Sequence, residues 1–264
     1  MSEKTRRRIG TSALCLGLAA LHLILMLTAL HAVSTDDALY FSLQTRGDET
    51  FPWDYEINFS VCRDDLLRLD RALSDYLKGD ETALDITVDV YGVPQPAFND
   101  RERAHMADCL HLFALLRKVR ARLIPWAIVL TLGGAWLLQD RKRARLCAWV
   151  SPLLVLLPLG GFALFAALNF DQAFTLFHKI LFTNDLWLLN PATDLLIRIC
   201  PESMFMHMGL RILLYSLLGM LMAWAAVTEL TFIWPGEKEE NPWKKTTPRG
   251  PAPRLYDFRK RGTR

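Results

Sequence analysis

NFDQAFTLFHKILFTNDLWLLNPATDLLIRICPESMF, residues 169–205, is the stretch whose reading decides the fold. It separates two long apolar runs, yet carries Asp171, His178, Asn184, Asp185, Asn190, Asp194 and Glu202 among Phe170, Phe174, Phe177, Phe182, Trp187 and Phe205. A plain connector between two membrane helices is shorter and less aromatic. An aromatic, half-apolar segment with a histidine among carboxylates suits the lipid–water boundary, where amphipathic rings keep one side in lipid and one in water. Within it, Asp171 is expected to cap a short helix carrying Phe174, Phe177 and His178. Asn190 followed by Pro191 is a cap-plus-first-turn signal and predicts a second short helix over Asn190–Ile199. Between them the polar turn Thr183–Asn184–Asp185 folds the pair back as the wall of a pocket.

Working outward, 52% apolar composition fits a soluble domain as well as a small membrane protein, so the distribution of those residues decides. Ile9–Val33, Leu146–Leu168 and Met208–Ile233 each approach or exceed the roughly 20 residues a bilayer-spanning helix needs. Leu123–Leu138 is shorter, and its amphipathic lead-in completes a fourth span. The fold class is therefore an α-helical membrane protein with four transmembrane helices. Its charges are unevenly placed. Lys4 and Arg6–Arg8 precede the first helix, Arg141, Lys142, Arg143 and Arg145 crowd a tight loop over Gln139–Arg145, and nine Lys and Arg follow Ile233. Counting cations near the span ends places that loop and both termini in the cytoplasm, and puts residues 34 to about 120 and the 169–205 connector outside. Arg117, Lys118, Arg120 and Arg122, at the outer end of the second helix, run against this rule.

Four regions follow. Residues 1–33 are a basic N-terminus and the first helix, retained because its apolar run is long and lacks a small-residue cleavage site. Residues 34–100 form a small extracytoplasmic α+β cap, too small for a large core of its own. In it Tyr40–Leu43 reads as a short strand and Asp48–Trp53 as a turn. Arg63–Lys78, with Leu66, Leu69, Leu73, Tyr76 and Leu77 at helical spacing, reads as an amphipathic helix stopped by Gly79. Ile86–Tyr91 reads as a strand closed by Gly92, Pro94 and Pro96. Residues 101–234 are a three-helix membrane core containing the connector. Asn99 and Glu102 have capping-box spacing, so its first helix starts there and runs unbroken into the membrane. Pro152, Pro158 and Gly160–Gly161 fall within the third helix, where small residues allow close packing. Residues 235–264 are a basic tail whose composition argues for disorder. Cys15, Cys62, Cys109, Cys147 and Cys200 have neither CxxC nor metal spacing, so neither a disulfide scaffold nor a metal site is expected.

No Gly-x-Ser-x-Gly elbow, phosphate loop, HExxH or nucleotide fingerprint is present. Chemistry, if any, rests on histidines and carboxylates. His105 has Glu102 one turn behind it, and Asp108 and Cys109 one turn ahead; residues three and four apart share a helix face, so either carboxylate can hold the imidazole. His178 has Asp171 on its face. His111, six positions from His105, points elsewhere. Solvated ion pairing at a helix end and an ordinary interfacial helix remain open for these two motifs.

RERAHMADCLHLF (residues 101–113) and FDQAFTLFHKILFTNDLWLLNPATDLLI (residues 170–197), followed by PESMF, resemble the lipoprotein intramolecular transacylases, called Lit, of Gram-positive bacteria. The resemblance extends over the four-helix hydropathy and the motif spacing; Cys109 departs from it, where an apolar residue is expected. It implies a cell-membrane enzyme with its site at the extracytoplasmic face. Such an enzyme moves the sn-2 acyl chain of a diacylglyceryl lipoprotein to the α-amine of its lipidated N-terminal cysteine. It implies His105 and His178 as the essential residues, with Glu102, Asp108, Asp171, Asn184, Asp185, Trp187 and Asn190 in supporting positions. No metal or organic cofactor and no nucleic-acid partner is implied; the partners are the lipoprotein and membrane lipid. The competing expectation is a non-enzymatic assembly or sensor protein that binds a partner through its outer cap.

Overall fold

The computed structural model describes residues 1–45, 61–90 and 92–233. The Asp48–Trp53 turn, Tyr91 at the end of the expected strand, and the basic tail lie outside the described residues. Within them, four helices are long and apolar enough to cross a membrane: Glu3–Ser34, Asp100–Leu138, Arg141–Leu168 and Glu202–Glu229. This is an α-helical membrane protein with a small two-stranded sheet.

α1 (Glu3–Ser34) and α4 (Asp100–Leu138) form the tightest pair. Three glycines bring their backbones together. A β-carbon at Gly10 would lie 2.7 Å from the Leu138 nitrogen, at Gly17 2.5 Å from the Thr131 nitrogen, and at Gly134 2.4 Å from the Leu14 nitrogen. Without a hydrophobic drive between helices in lipid, such backbone approach supplies the dispersion contact that holds them. The expectation that Gly160 and Gly161 pack closely is not met: nothing lies within 4 Å of a β-carbon at either. They sit in α6 (Leu153–Leu168), which buries no residue and turns its leucines outward.

The arginine-rich loop shrinks to two residues. Gln139, with a left-handed φ of 48°, ends α4, and Asp140 caps α5 (Arg141–Val150) by accepting from the Arg143 amide at 3.1 Å. The cations therefore stand on α5 itself. Placing them at a helix N-terminus is unfavourable, and Asp140 offsets this by pairing with Arg143 at 3.3 Å and Arg7 at 3.9 Å.

The cap begins with α2 (Asp37–Gln44), a helix where a strand was expected over Tyr40–Leu43. Asp36 caps it, accepting from the Leu39 amide at 2.9 Å, and Leu39, Tyr40 and Leu43 then share one buried helical face. α3 (Arg63–Lys78) ends at Gly79, whose φ of 85° requires a residue without a β-carbon. Its leucines pack with Val88 and Phe98, and also with Met106 of α4 and Leu195, Leu196 and Ile199 of α8 (Leu195–Ile199). The cap's core is thus completed by the membrane core, as its size requires. The single strand becomes a hairpin of β1 (Thr87–Val90) and β2 (Val93–Pro96), antiparallel with Val90 opposite Val93. Pro94 and Pro96 lack N–H groups, which an edge strand tolerates. Asp70 of α3 accepts from Gln44 Nε2 at 3.0 Å, and the same amide donates to the Ile199 carbonyl at 2.9 Å, joining α2, α3 and α8. Burial pushes the Asp70 carboxyl up to about 7, so it is largely protonated in mild acid.

α7 (Phe170–Leu181) is capped by Asn169, which accepts from the Gln172 amide at 3.1 Å; Asp171 lies inside its first turn rather than at the cap. The chain reaches α8 through turns, because residues 190–193 are not helical and Asp194 stands at the α8 cap. α9 (Glu202–Ile233) packs along α1 and completes the core.

Gly134→Val and Gly17→Val are expected to destabilise the protein by about 1–3 kcal/mol or more through overpacking, whereas Gly161→Ala is expected to leave stability unchanged. Thermal unfolding in detergent, followed by size-exclusion recovery, measures the difference.

Candidate active site

The site is built by the first turns of α4, which hold the connector against themselves. Glu102 is 1% exposed and divides its carboxylate between two helices. Oε2 accepts from the Asn99 amide at 2.8 Å, closing the capping box of α4, and Oε1 accepts from the Leu196 amide at 2.6 Å in the first turn of α8. Its neighbours extend the grip. Asn99 Nδ2 donates to Asp194 Oδ1 at 2.9 Å, Arg101 donates to the Leu188 carbonyl at 3.2 Å and to the Asp185 carbonyl, and Asn184 Nδ2 donates to Asp108 Oδ2 at 2.8 Å. Asp194 Oδ2 also accepts from the Asn190 amide at 2.7 Å. Burial alone raises a carboxyl, but these bonds hold Asp194 below the ordinary carboxylate value.

This grip brings together two histidines 73 positions apart. The ring centroids of His105 on α4 and His178 on α7 are 6.1 Å apart, and both side chains are buried. Phe182 touches both rings, at 5.2 Å from His105 and 5.6 Å from His178. Trp187 stacks on His178 at 4.9 Å, and Phe174 lies 4.0 Å from it on the preceding turn. The Trp187 indole is fixed by a 3.0 Å bond to the Asn184 carbonyl.

The protons can be placed. His178 Nδ1 lies 2.8 Å from the Phe174 carbonyl, which only accepts, so Nδ1 carries the hydrogen and Nε2 keeps its lone pair. Burial lowers the His178 pKa, against a smaller opposite pull from the Phe174 bond, and the ring is therefore neutral near pH 7. His105 Nε2 lies 3.6 Å from Cys109 Sγ, and its Nδ1 is buried with no protein partner. Together they present two buried imidazoles walled by aromatic side chains, each with a ring nitrogen that no described residue holds.

The remaining expected residues fall into two groups. Trp187 touches His178, and Asn184 with Asp108 positions the turn that carries Trp187. Glu102 shares a face with His105, but its oxygens are taken by backbone amides, so it fixes the helices and not the ring. Asp185 meets Arg101 at the surface, 3.7 Å away. Asn190 turns its Oδ1 to the Ala192 amide at 3.0 Å, which makes it a turn former. Asp171 is exposed, and His178 is held instead by Phe174. Among the described residues no group of three His, Cys, Asp or Glu is arranged to hold a metal ion. Cys109 stands beside His105 as their shared helix face suggests, whereas Phe182 was not expected at the rings. Its i+4 spacing from His178 was the available signal.

The family model of the lipoprotein intramolecular transacylase Lit matches residues 15–205. The fold is similar to that of the membrane-integral lipoprotein intramolecular transacylase Lit from Bacillus cereus, solved in meso. The TM-score is 0.60 at 22% identity, covering 88% of this chain and 98% of that one. A variant of the same protein with one histidine replaced by arginine gives 0.59 at 21%, covering 88% and 92%. The corresponding alanine variant gives 0.57 at 21%, covering 88% and 94%. No curated protein sequence matches the chain.

Glu102→Gln keeps the shape but leaves one backbone amide facing an NH2 group. It is expected to cost about 2 kcal/mol, the scale of one bond to a charged group, and to speed amide exchange over residues 186–199. Hydrogen exchange with a thermal melt checks this; a residue that merely oriented His105 would leave both unchanged.

Proposed function

The chain belongs to the lipoprotein intramolecular transacylase family, and we propose that it moves the sn-2 acyl chain of a diacylglyceryl lipoprotein to the α-amine of the lipoprotein's own N-terminal cysteine, giving the lyso form. The observation that carries this reading is the pair of buried imidazoles 6.1 Å apart in an aromatic pocket.

The chemistry matches what the two rings offer. The α-amine has a reference pKa of about 8 and must attack as the neutral amine. His178 Nε2, with its lone pair free, takes the proton as nitrogen adds to the ester carbonyl. The C–N bond forms, the bond from the acyl carbon to the sn-2 oxygen breaks, and that oxygen receives a proton from His105, which regains one from the protonated His178. No water enters the balance, and a pocket walled by Phe174, Phe182 and Trp187 excludes the competing hydrolysis. The attack closes a ring of about eight members through Cα, Cβ, sulfur and two glycerol carbons. Such rings close poorly alone, so holding amine and ester together is a large part of the work. A donor for the oxyanion comes from the ring N–H of His105, since the His178 Nδ1–H is held by the Phe174 carbonyl and the Asn184 amide by Asp108.

The reacting end faces the extracytoplasmic side. This orientation is supported by the cations at the opposite end, Arg6–Arg8 and Arg141–Arg145. Membrane-impermeant thiol labelling of whole cells is expected to modify Asp75→Cys and spare Lys142→Cys; the reverse pattern overturns the orientation.

His105→Ala and His178→Ala are each expected to abolish lyso-lipoprotein formation, with protein level and membrane insertion retained. His111→Ala, at an exposed position, is expected to keep most of the activity. The measurement is mass spectrometry of a reporter lipoprotein's N-terminal peptide in a host without its own transacylase. A well-expressed double variant working at the wild-type rate overturns the histidine mechanism. A wild-type protein that forms no lyso product at all overturns the transacylase reading.

A further inference from the structure

The glycine contacts between α1 and α4 set an antiparallel register that places Arg8 beside Asp140 and Thr28 beside Arg120. The Arg7–Asp140 pair at one end and the His31–Phe113 ring contact at the other agree with it. From Arg8 to Thr28 is twenty residues of helix, about 30 Å, the thickness of a bilayer's hydrocarbon core. Across that interval α1 has no Asp, Glu, Lys or Arg, and α4 has none from Leu123 to Leu138. The membrane is therefore bracketed by two bands of cations, one at each surface. The band at Arg6–Arg8 and Arg141–Arg145 is expected of a cytoplasmic face. The other, on α4 at Arg117, Lys118, Arg120 and Arg122, lies on the surface nearer the histidine pocket and has no such explanation.

We propose that this second band, with Lys78 at the end of α3, binds the headgroups of anionic phospholipids. α4 has no carboxylate between Asp108 and its end, and no ion pair within the described residues involves Lys118, Arg120 or Arg122. Asp80 and Glu81, which follow Gly79, form none with the band either. Lys118 and Arg122 are one turn apart on an exposed side; Arg117 and Arg120 share the side toward His31, which lies within electrostatic reach of both and of Lys78. Arg117 also donates to the Leu77 carbonyl at 2.9 Å, so a phosphate on this band sits directly beneath the cap helix α3. Exposed Ile124 and Trp126 follow within a turn, and an indole one turn below a row of arginines marks the headgroup level. A lipid phosphate, fixed at that depth and present all round the protein, fits this better than an acidic peptide.

The proposal does not depend on acyl transfer, and its test reads lipid binding only. Native mass spectrometry of the protein in neutral detergent is run with phosphatidylglycerol, phosphatidylcholine and inorganic phosphate. Compared with wild type, the triple variant Lys118→Gln, Arg120→Gln, Arg122→Gln is expected to lose at least one bound phosphatidylglycerol. At roughly 1 kcal/mol per surface cation, that lipid binds on the order of a hundredfold more weakly. Phosphatidylcholine binding is unchanged, and the charge-retaining variant Arg120→Lys with Arg122→Lys keeps the lipid. Equal phosphatidylglycerol affinity and stoichiometry in wild type and triple variant overturns the proposal. So does inorganic phosphate that displaces the lipid as well as a second phosphatidylglycerol does, because the band would then read free anions.

Discussion

One buried carboxylate sets the geometry on which the rest depends. Glu102 accepts from Asn99 at the start of α4 and from Leu196 at the start of α8, so two helix N-termini 95 residues apart in sequence end on the same side chain. Each N-terminus supplies amides with no intrahelical partner and a positive dipole end, and a carboxylate between them satisfies both. The contact anchors α8, whose Leu195, Leu196 and Ile199 complete the cap core, and steadies the turns that carry Trp187 and Phe182. His105 stands one turn further along α4, and the connector then has little freedom except to lay its aromatic side, with His178, over that ring. The same helix start thus holds cap, connector and pocket together.

The membrane portion is held differently. α1 and α4 meet backbone to backbone through Gly10, Gly17 and Gly134, while α6 buries no side chain and touches its neighbours lightly. A rigid α1–α4 pair carries His105; the loosely packed α6 leads directly into α7, which carries His178. One histidine thus sits on the firm side of the bundle and the other on the side with fewer constraints. A substrate bearing two acyl chains has to enter from the membrane, and the lightly packed side offers less resistance.

Much of this was legible in the residues. The leucines of α3 and the Asn99–Glu102 box of α4 each carry their own start, stop and face, so local pattern and tertiary structure agree. Tyr40–Leu43 misled because Tyr40, Phe41 and Leu43 satisfy both periods, and Asp36 as a cap decides for the helix. Asn190–Pro191 looked like a helix start, yet Asp194 takes amide, hydroxyl and carboxamide donors at once and moves the start four residues on. Glu102 was expected at His105 because spacing along one helix reveals a shared face and nothing of a competing donor on a distant segment. His105 and His178 stood out as residues; nothing in local periodicity brings them together, and that pairing came from the family resemblance.

The measurement that bears most directly on the central claim is a crossover experiment with purified protein and two synthetic diacylglyceryl lipopeptides. One carries deuterated chains on one peptide, the other unlabelled chains on a peptide of different mass, mixed in equal amounts. Two histidines serving one bound substrate predict N-acyl lyso products in which every amide chain carries its parent peptide's isotope, and no product at all from His178→Ala. Statistical mixing of label between the two peptides would contradict the account, because the acyl group would then have left its own molecule before reaching an amine.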